Sequence, residues 1–187
     1  IETDMPNPQS VYGQTKYDGE ESIKGCKVKH LIFRTAWVYS KSGTNFFKTI
    51  IQLAKNQDKL KVVNDQIGAP TSAELIADVT ALCLNQIVQY KNSAHNLSGT
   101  YHLTPTGETS WHGFAQFIIT EALGLGVKFR TSFENVQAIS TSEYPLPAKR
   151  PSNSLLDTKK ICNTFNVYMP PWQTHVERLF KELYSQR

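Results

Sequence analysis

The 187-residue sequence has no stretch of apolar residues approaching the ~20 needed to span a bilayer, which excludes a membrane-spanning helix. Its first ten residues, IETDMPNPQS, are acidic and proline-rich where a secretory leader is basic and then apolar. Three cysteines, Cys26, Cys83 and Cys162, are odd in number and far apart, so neither a disulfide framework nor a zinc knuckle is expected, and a reducing cytoplasm is the expected compartment. The ten glycines never fall as G-x-G-x-x-G or G-x-x-x-x-G-K, so no phosphate loop is present. The net charge of +4 is spread along the chain rather than gathered into a stripe, which argues against nucleic acid as a partner. What is present is 40% hydrophobic and 19% charged, enough apolar material for a packed core and too much for a disordered chain.

Hydrophobic period and punctuation predict alternating helices and short strands, an α/β class. Ser10 caps a helix that Gly25 ends, and the β-branched and aromatic run His30–Tyr39 reads as one buried strand. A helix starts at Asn45, and Leu60–Val63 is a strand. Asp65–Pro70 is turn-rich, and Thr71-Ser-Ala-Glu74 has the spacing of a capping box before a helix running to about Tyr90. A loop from Lys91 leads to a strand at Gly99–Leu103. Ser110 caps a helix to about Leu123, Asp157 opens a short one, and Pro170-Pro171 introduces the last. The stretch between, with Pro145, Pro147 and Pro151, carries little pattern.

Tyr12-Gly-Gln-Thr-Lys16 places a phenol and an ammonium on one face of the first helix. A tyrosine beside a cation can give its proton to a carbonyl oxygen as hydride reaches the carbon. With eight tyrosines in the chain, one such spacing arises about as often as not by chance, and on spacing alone an ordinary solvated helix face is the better account of it.

The surroundings add to it. Tyr12–Glu20, Arg34-Thr-Ala-Trp-Val-Tyr39, Gly43-Thr-Asn-Phe-Phe47, Asp65-Gln-Ile-Gly-Ala-Pro-Thr71, Gly99-Thr-Tyr-His102, Ser110-Trp111 with Phe114-Ala115, and Arg150-Pro-Ser-Asn-Ser-Leu155 follow in this order. The series resembles the C-terminal part of the dTDP-4-dehydrorhamnose reductase family of extended short-chain dehydrogenases/reductases, from Glu2 almost to the C-terminus. The fold implied is the C-terminal part of a Rossmann-like α/β domain including the substrate lobe. Residues 1–64 would belong to the cofactor-binding domain and 65–187 mainly to the lobe with its C-terminal helices.

The resemblance implies reduction of the C4 ketone of dTDP-4-dehydro-L-rhamnose with NADPH or NADH. Tyr12 would be the proton donor, with Lys16 favouring its ionised form and bonding the nicotinamide ribose, and Thr35 and Val38 would border the nicotinamide. Trp37 would pack on the sugar ring, while Asn45, Gln66 and Arg150 would serve the nucleotide-sugar side. Each has a plainer reading: a core tryptophan for Trp37, buried strand for Thr35 and Val38, a cap, turn or salt bridge for the last three. Glu74 and Glu182 fall where some members bind Mg²⁺ at a homodimer contact, although the capping box explains Glu74 equally.

The departure from the family is the preceding Rossmann half with its glycine fingerprint and a Thr or Ser beside the tyrosine, none of which is found in this sequence. The chain alone is therefore expected to bind NADPH poorly, to turn over negligibly, and to associate through the strand Leu31–Thr35 left without a neighbour. Another extended nucleotide-sugar reductase, epimerase or dehydratase remains open at this point. So does a non-catalytic subunit of the same fold, like the regulatory partner of methionine adenosyltransferase.

Overall fold

The computed structural model describes residues 1–89, 97–145 and 150–184. The expected loop from Lys91 lies for the most part outside them. In chain order the elements are α1 (Val11–Gly25), β1 (Leu31–Arg34), β2 (Val38–Tyr39), α2 (Phe46–Asn56), β3 (Leu60–Val63), β4 (Ile67–Gly68), β5 (Thr71–Ser72), α3 (Ala73–Gln89), β6 (Gly99–His102), β7 (Thr109–Ser110), α4 (Trp111–Gly124), β8 (Val136–Ile139), α5 (Lys159–Phe165) and α6 (Trp172–Tyr184). Single 3-10 turns sit at Phe133–Asn135 and Thr141–Glu143.

The strands form four two-stranded ladders. β1 runs parallel to β6, β2 to β5 and β3 to β8, while β4 and β7 are antiparallel. Each parallel pair joins a strand before residue 64 to one after it, as crossover connections require. Two hydrophobic cores result. One packs Phe47, Ile50 and Ala54 of α2 and Leu60 and Val62 of β3 against Phe114, Ile118 and Ile119 of α4 and Trp172, Val176 and Phe180 of α6. The other packs Leu75, Val79 and Cys83 of α3 on Tyr101 of β6 and on Ile161 and Phe165 of α5.

Local chemistry accounts for the helix starts. Ser10, Asn45 and Ser110 each turn a side-chain oxygen to the N–H three residues on, at 2.9–3.1 Å, satisfying a donor that no carbonyl of the helix can reach.

Three expectations need correction. The run 30–39 is two strands, because Trp37 adopts a left-handed backbone (φ 51°) between them. The Thr71/Glu74 capping box does not form: Thr71 pairs with Val38 in the β2–β5 ladder and donates its hydroxyl to the Ala69 carbonyl (3.0 Å), so Ser72 caps α3 through the Leu75 N–H (2.9 Å). The patternless stretch before Pro145 contains β8, a strand defined by its parallel ladder with β3 rather than by any alternation of its own.

Candidate functional site

α1 carries no buried residue, and Tyr12 is 72% exposed on it. The Lys16 ammonium lies 5.3 Å from the centre of the Tyr12 ring, as their spacing of one turn dictates. Helix propensity alone is a weak tether for such an element, so its place depends on a few contacts. Arg34, at the end of β1, donates from Nε (2.9 and 3.1 Å) and Nη2 (2.6 Å) to the Glu20 carboxylate. This bridge is half-buried, and the guanidinium holds the Glu20 carboxyl below its ordinary range. Beside it a small hollow of about 290 Å³ is bordered by Pro8, Gly13, Lys16, Tyr17, Glu20 and Arg34. Thr35, just past β1, and Val38, the first residue of β2, are exposed, as is Tyr12.

The described residues also form a larger concavity. This cleft of about 1040 Å³ is bordered by α2 (Phe46, Thr49, Leu53), by β3 with its Lys61 and the preceding Lys59, and by Gln66, Trp111, Gln137, Thr141, Tyr144 and Arg150. Its volume is at the upper end for a small-molecule site. Gln66, only 6% exposed, holds one rim: its Oε1 accepts from the Trp111 indole N–H (3.2 Å) and its Nε2 donates to the Thr141 hydroxyl (3.1 Å). The Thr141 hydroxyl donates to Asp65 Oδ1 (2.6 Å), and its backbone N–H donates to both Asp65 oxygens (3.0 Å), bonds that hold the Asp65 carboxyl below its usual range. Arg150 is exposed on the same cleft. The segment after it is stitched to β4 by Ile67 N–H to Ser152 O and Ser154 N–H to Ile67 O, both 2.8 Å, so the two sequence strings 65–71 and 150–155 meet in space.

Trp37 borders neither concavity but stacks on Trp111, which lines the larger one. A left-handed backbone at a bulky side chain costs about 1–3 kcal/mol and persists only where surrounding contacts impose it. The contacts are present: the Trp37 ring stacks on Trp111 at 3.6 Å between centroids and 11° between planes, and the Trp37 carbonyl accepts from the Thr71 N–H (3.2 Å).

Of the residues expected from sequence, the structure brings Gln66 and Arg150 to the cleft and Tyr12 to Lys16, and leaves Thr35 and Val38 exposed. Asn45 does not border the cleft. Its Oδ1 caps α2 at Lys48 N and its Nδ2 donates to the Ser40 carbonyl (2.7 Å), so its amide is engaged locally. Glu74 and Glu182 do not make a cation site by themselves: Glu182 accepts from Arg178 Nε (3.3 Å), and Arg178 also holds Asp78 (2.8 Å). Among the described residues no group of three or more His, Cys, Asp or Glu is placed to hold a metal. Trp111, Thr141 and Tyr144 had been given no role. Trp111 alone carried a signal, as an aromatic directly after a helix cap.

Comparison with known structures defines the class first. A dTDP-4-dehydrorhamnose reductase ortholog from Clostridium acetobutylicum superposes with a TM-score of 0.80 at 38% identity, covering 97% of this chain and 59% of that one. The Bacillus anthracis reductase, solved in complex with NADP, gives 0.77 at 36%, covering 97% and 58%. The architecture is thus the Rossmann-like α/β fold of the extended short-chain dehydrogenases/reductases. The model of the RmlD substrate binding domain matches residues 1–185, and the chain belongs to that family. The dTDP-4-dehydrorhamnose reductase of Escherichia coli K12 is 42% identical over 185 residues, 99% of this chain and 60% of the relative. The chain therefore spans about 60% of the length of the curated relatives it matches. No helix among the described residues is long and apolar enough to cross a membrane.

Proposed function

We propose that this chain supplies the proton donor and the substrate cleft of a dTDP-4-dehydrorhamnose reductase, which reduces the C4 ketone of dTDP-4-dehydro-L-rhamnose to dTDP-L-rhamnose. The observation that carries it is an exposed Tyr12/Lys16 pair together with a large polar-rimmed cleft whose Trp111 stacks on Trp37. The exposed residues Tyr12, Lys16, Thr35 and Val38 suit the nicotinamide end of a dinucleotide, and the sequence offers no glycine loop for its phosphates. NADPH, when bound, supplies the hydride that reaches C4.

The chain's own part is the proton. The Tyr12 hydroxyl gives its proton to the ketone oxygen as the C4–H bond forms, leaving an alcohol and a phenolate that the neighbouring Lys16 charge favours. In the cleft, Arg150 with Lys59 and Lys61 offers positive charge to a diphosphate, and Gln66 offers an amide at the same rim. Trp37 presents the remaining exposed part of its ring toward the sugar. Residues 1–64 then serve the cofactor side and 65–187 mainly the substrate, in a cytoplasmic enzyme. The free edge of β1, hydrogen-bonded among the described residues only to β6, makes self-association of the chain the expected behaviour.

The test is Tyr12→Phe in the complete reductase, assayed by NADPH consumption with dTDP-4-dehydro-L-rhamnose. Turnover is expected to fall by at least about a hundredfold with cofactor affinity within about twofold, as for loss of a general acid. Full activity of the variant would refute the assignment.

A further inference from the structure

The Trp37 indole is held from two sides. Trp111 covers one face at 3.6 Å. On the other lies Gly68: a Cβ added there would fall 2.5 Å from Trp37 Cε2, 2.8 Å from Cζ2 and 2.9 Å from Nε1. A point nearest the ring-fusion carbon, with its bonded neighbours a little further off, lies above the ring rather than at its edge. Any side chain at residue 68 would occupy the space the indole fills, although the backbone there is not left-handed. Trp111 is fixed in turn. Its N–H is tied to the buried Gln66, Gln66 to Thr141, and Thr141 to Asp65, while the Phe46 ring leans on it at 4.5 Å.

We infer that Trp111, which lines the cleft, is a positioning residue that together with Gly68 clamps the Trp37 indole beside it. The inference rests on the reading of Trp37 as the sugar-contacting residue. The strained backbone of Trp37 fits this arrangement, because a ring pinned on both faces leaves its main chain to absorb the misfit. The clamp also gives the cleft rim a route to the sugar. Whatever engages Gln66 or Thr141 acts on the hydrogen bond that orients Trp111, and through the stack on Trp37.

The experiment uses the 187-residue chain, with dTDP and dTDP-L-rhamnose as probes. Two indoles stacked this closely give an exciton couplet in far-ultraviolet circular dichroism, which reports the clamp with no ligand present. Calorimetry then gives the affinity ratio of dTDP-L-rhamnose to dTDP, which isolates the sugar. The couplet is expected in the wild type, to persist at saturating dTDP-L-rhamnose, and to be lost in Trp111→Leu and weakened in Gly68→Ala.

Gly68→Ala is expected to lower the affinity ratio about three- to tenfold, the range of an aromatic pair, with dTDP affinity unchanged. Trp111→Leu is expected to lower the ratio similarly, but to add nothing in a Trp37→Ala background, since it acts through Trp37. Trp111→Phe, which keeps the ring and removes the N–H donor, gives the same comparison should the leucine variant fail to fold.

A couplet that collapses on adding dTDP-L-rhamnose would overturn the inference, because Trp37 would then be leaving Trp111. So would full additivity of the Trp37 and Trp111 substitutions, or a Gly68→Ala chain with a disrupted couplet and an unchanged ratio. If Trp37→Ala itself leaves the ratio unchanged, or the wild-type chain does not bind dTDP-L-rhamnose, the reading of Trp37 falls and the inference with it. A ratio lowered by Trp37→Ala but not by Trp111→Leu overturns the inference alone.

Discussion

Arg34 and Glu20 form a two-point bridge from the end of β1 to the middle of α1, with both guanidinium contacts on one carboxylate. Because α1 buries none of its residues, this bridge and the Ser10 cap do for the helix what an apolar face does elsewhere. Glu20→Ala is expected to cost about 1–2 kcal/mol, a charge-assisted pair reduced by solvent screening, and to raise amide exchange along α1 well above that of α4. The folded carboxyl lies below its ordinary value of 4.5, so the bridge is fully stabilising above that pH and is lost as the pH falls beneath it. Exchange measured from pH 6 down to pH 3 should show α1 loosening in the lower part of that range in the wild type, and no such step in the variant.

A second pH effect lies nearer neutrality. Burial lowers the basicity of His102, against the opposing pull of Glu2. It lowers that of His175 too, helped by the Arg178 charge and opposed by Asp78 and Glu74. An imidazole whose folded pKa lies below its ordinary 6.5 favours the fold above that value, and its contribution is lost as acid protonates the unfolded chain first. The melting temperature should therefore fall on going from pH 7.5 to 5.5, and His175→Phe should flatten the profile. An unchanged slope in that variant would show that His175 does not contribute to it.

The larger core turns on Phe114, fully buried between Tyr39 (5.6 Å), Phe46 (5.4 Å) and Trp172 (5.8 Å). Phe114→Ala leaves a cavity that none of these rings can close without leaving its own neighbours. The expected loss is about 3–5 kcal/mol, read as a fall in Tm of roughly 10 °C or more in calorimetry.

The chain by itself should bind NADPH weakly. Tyr12, Lys16, Thr35 and Val38 are all exposed, and no glycine loop is present to take the phosphates. Titration calorimetry is expected to give a dissociation constant above about 100 μM, and micromolar affinity would show that a dinucleotide site is complete within these residues.

Much of this was readable from the sequence, and the misses share a cause. Local signals held where one residue decides locally: Ser10, Asn45 and Ser110 cap helices because a single oxygen meets a single N–H. The reading failed where a distant partner decides. β8 is recognisable only beside β3, and Thr71 gave up its capping role because Val38 draws it into a ladder. The break at Trp37 belongs to the same group, since a left-handed backbone is imposed by Trp111 and Gly68 from elsewhere in the chain. At the candidate site the sequence motifs name Tyr12, Lys16, Gln66 and Arg150, of which Gln66 and Arg150 border the cleft. Trp111 was not, because its meaning lies in a stack. Asn45 shows the converse, an expected binding residue whose amide is spent on a cap.

The ladders also bear on how fast the molecule can assemble. Among the described residues no two strands adjacent in sequence pair with each other. β1 finds β6 only when a loop closes that brings His30 to Ser98, 68 residues further on. Helices can flicker into being within microseconds, but each ladder must wait for a long loop to close. Refolding should therefore be slow, in the range of milliseconds to seconds. Until it is complete the strand edges stand open, and the time spent in that state, as much as the final stability, governs how much of the chain is recovered in native form.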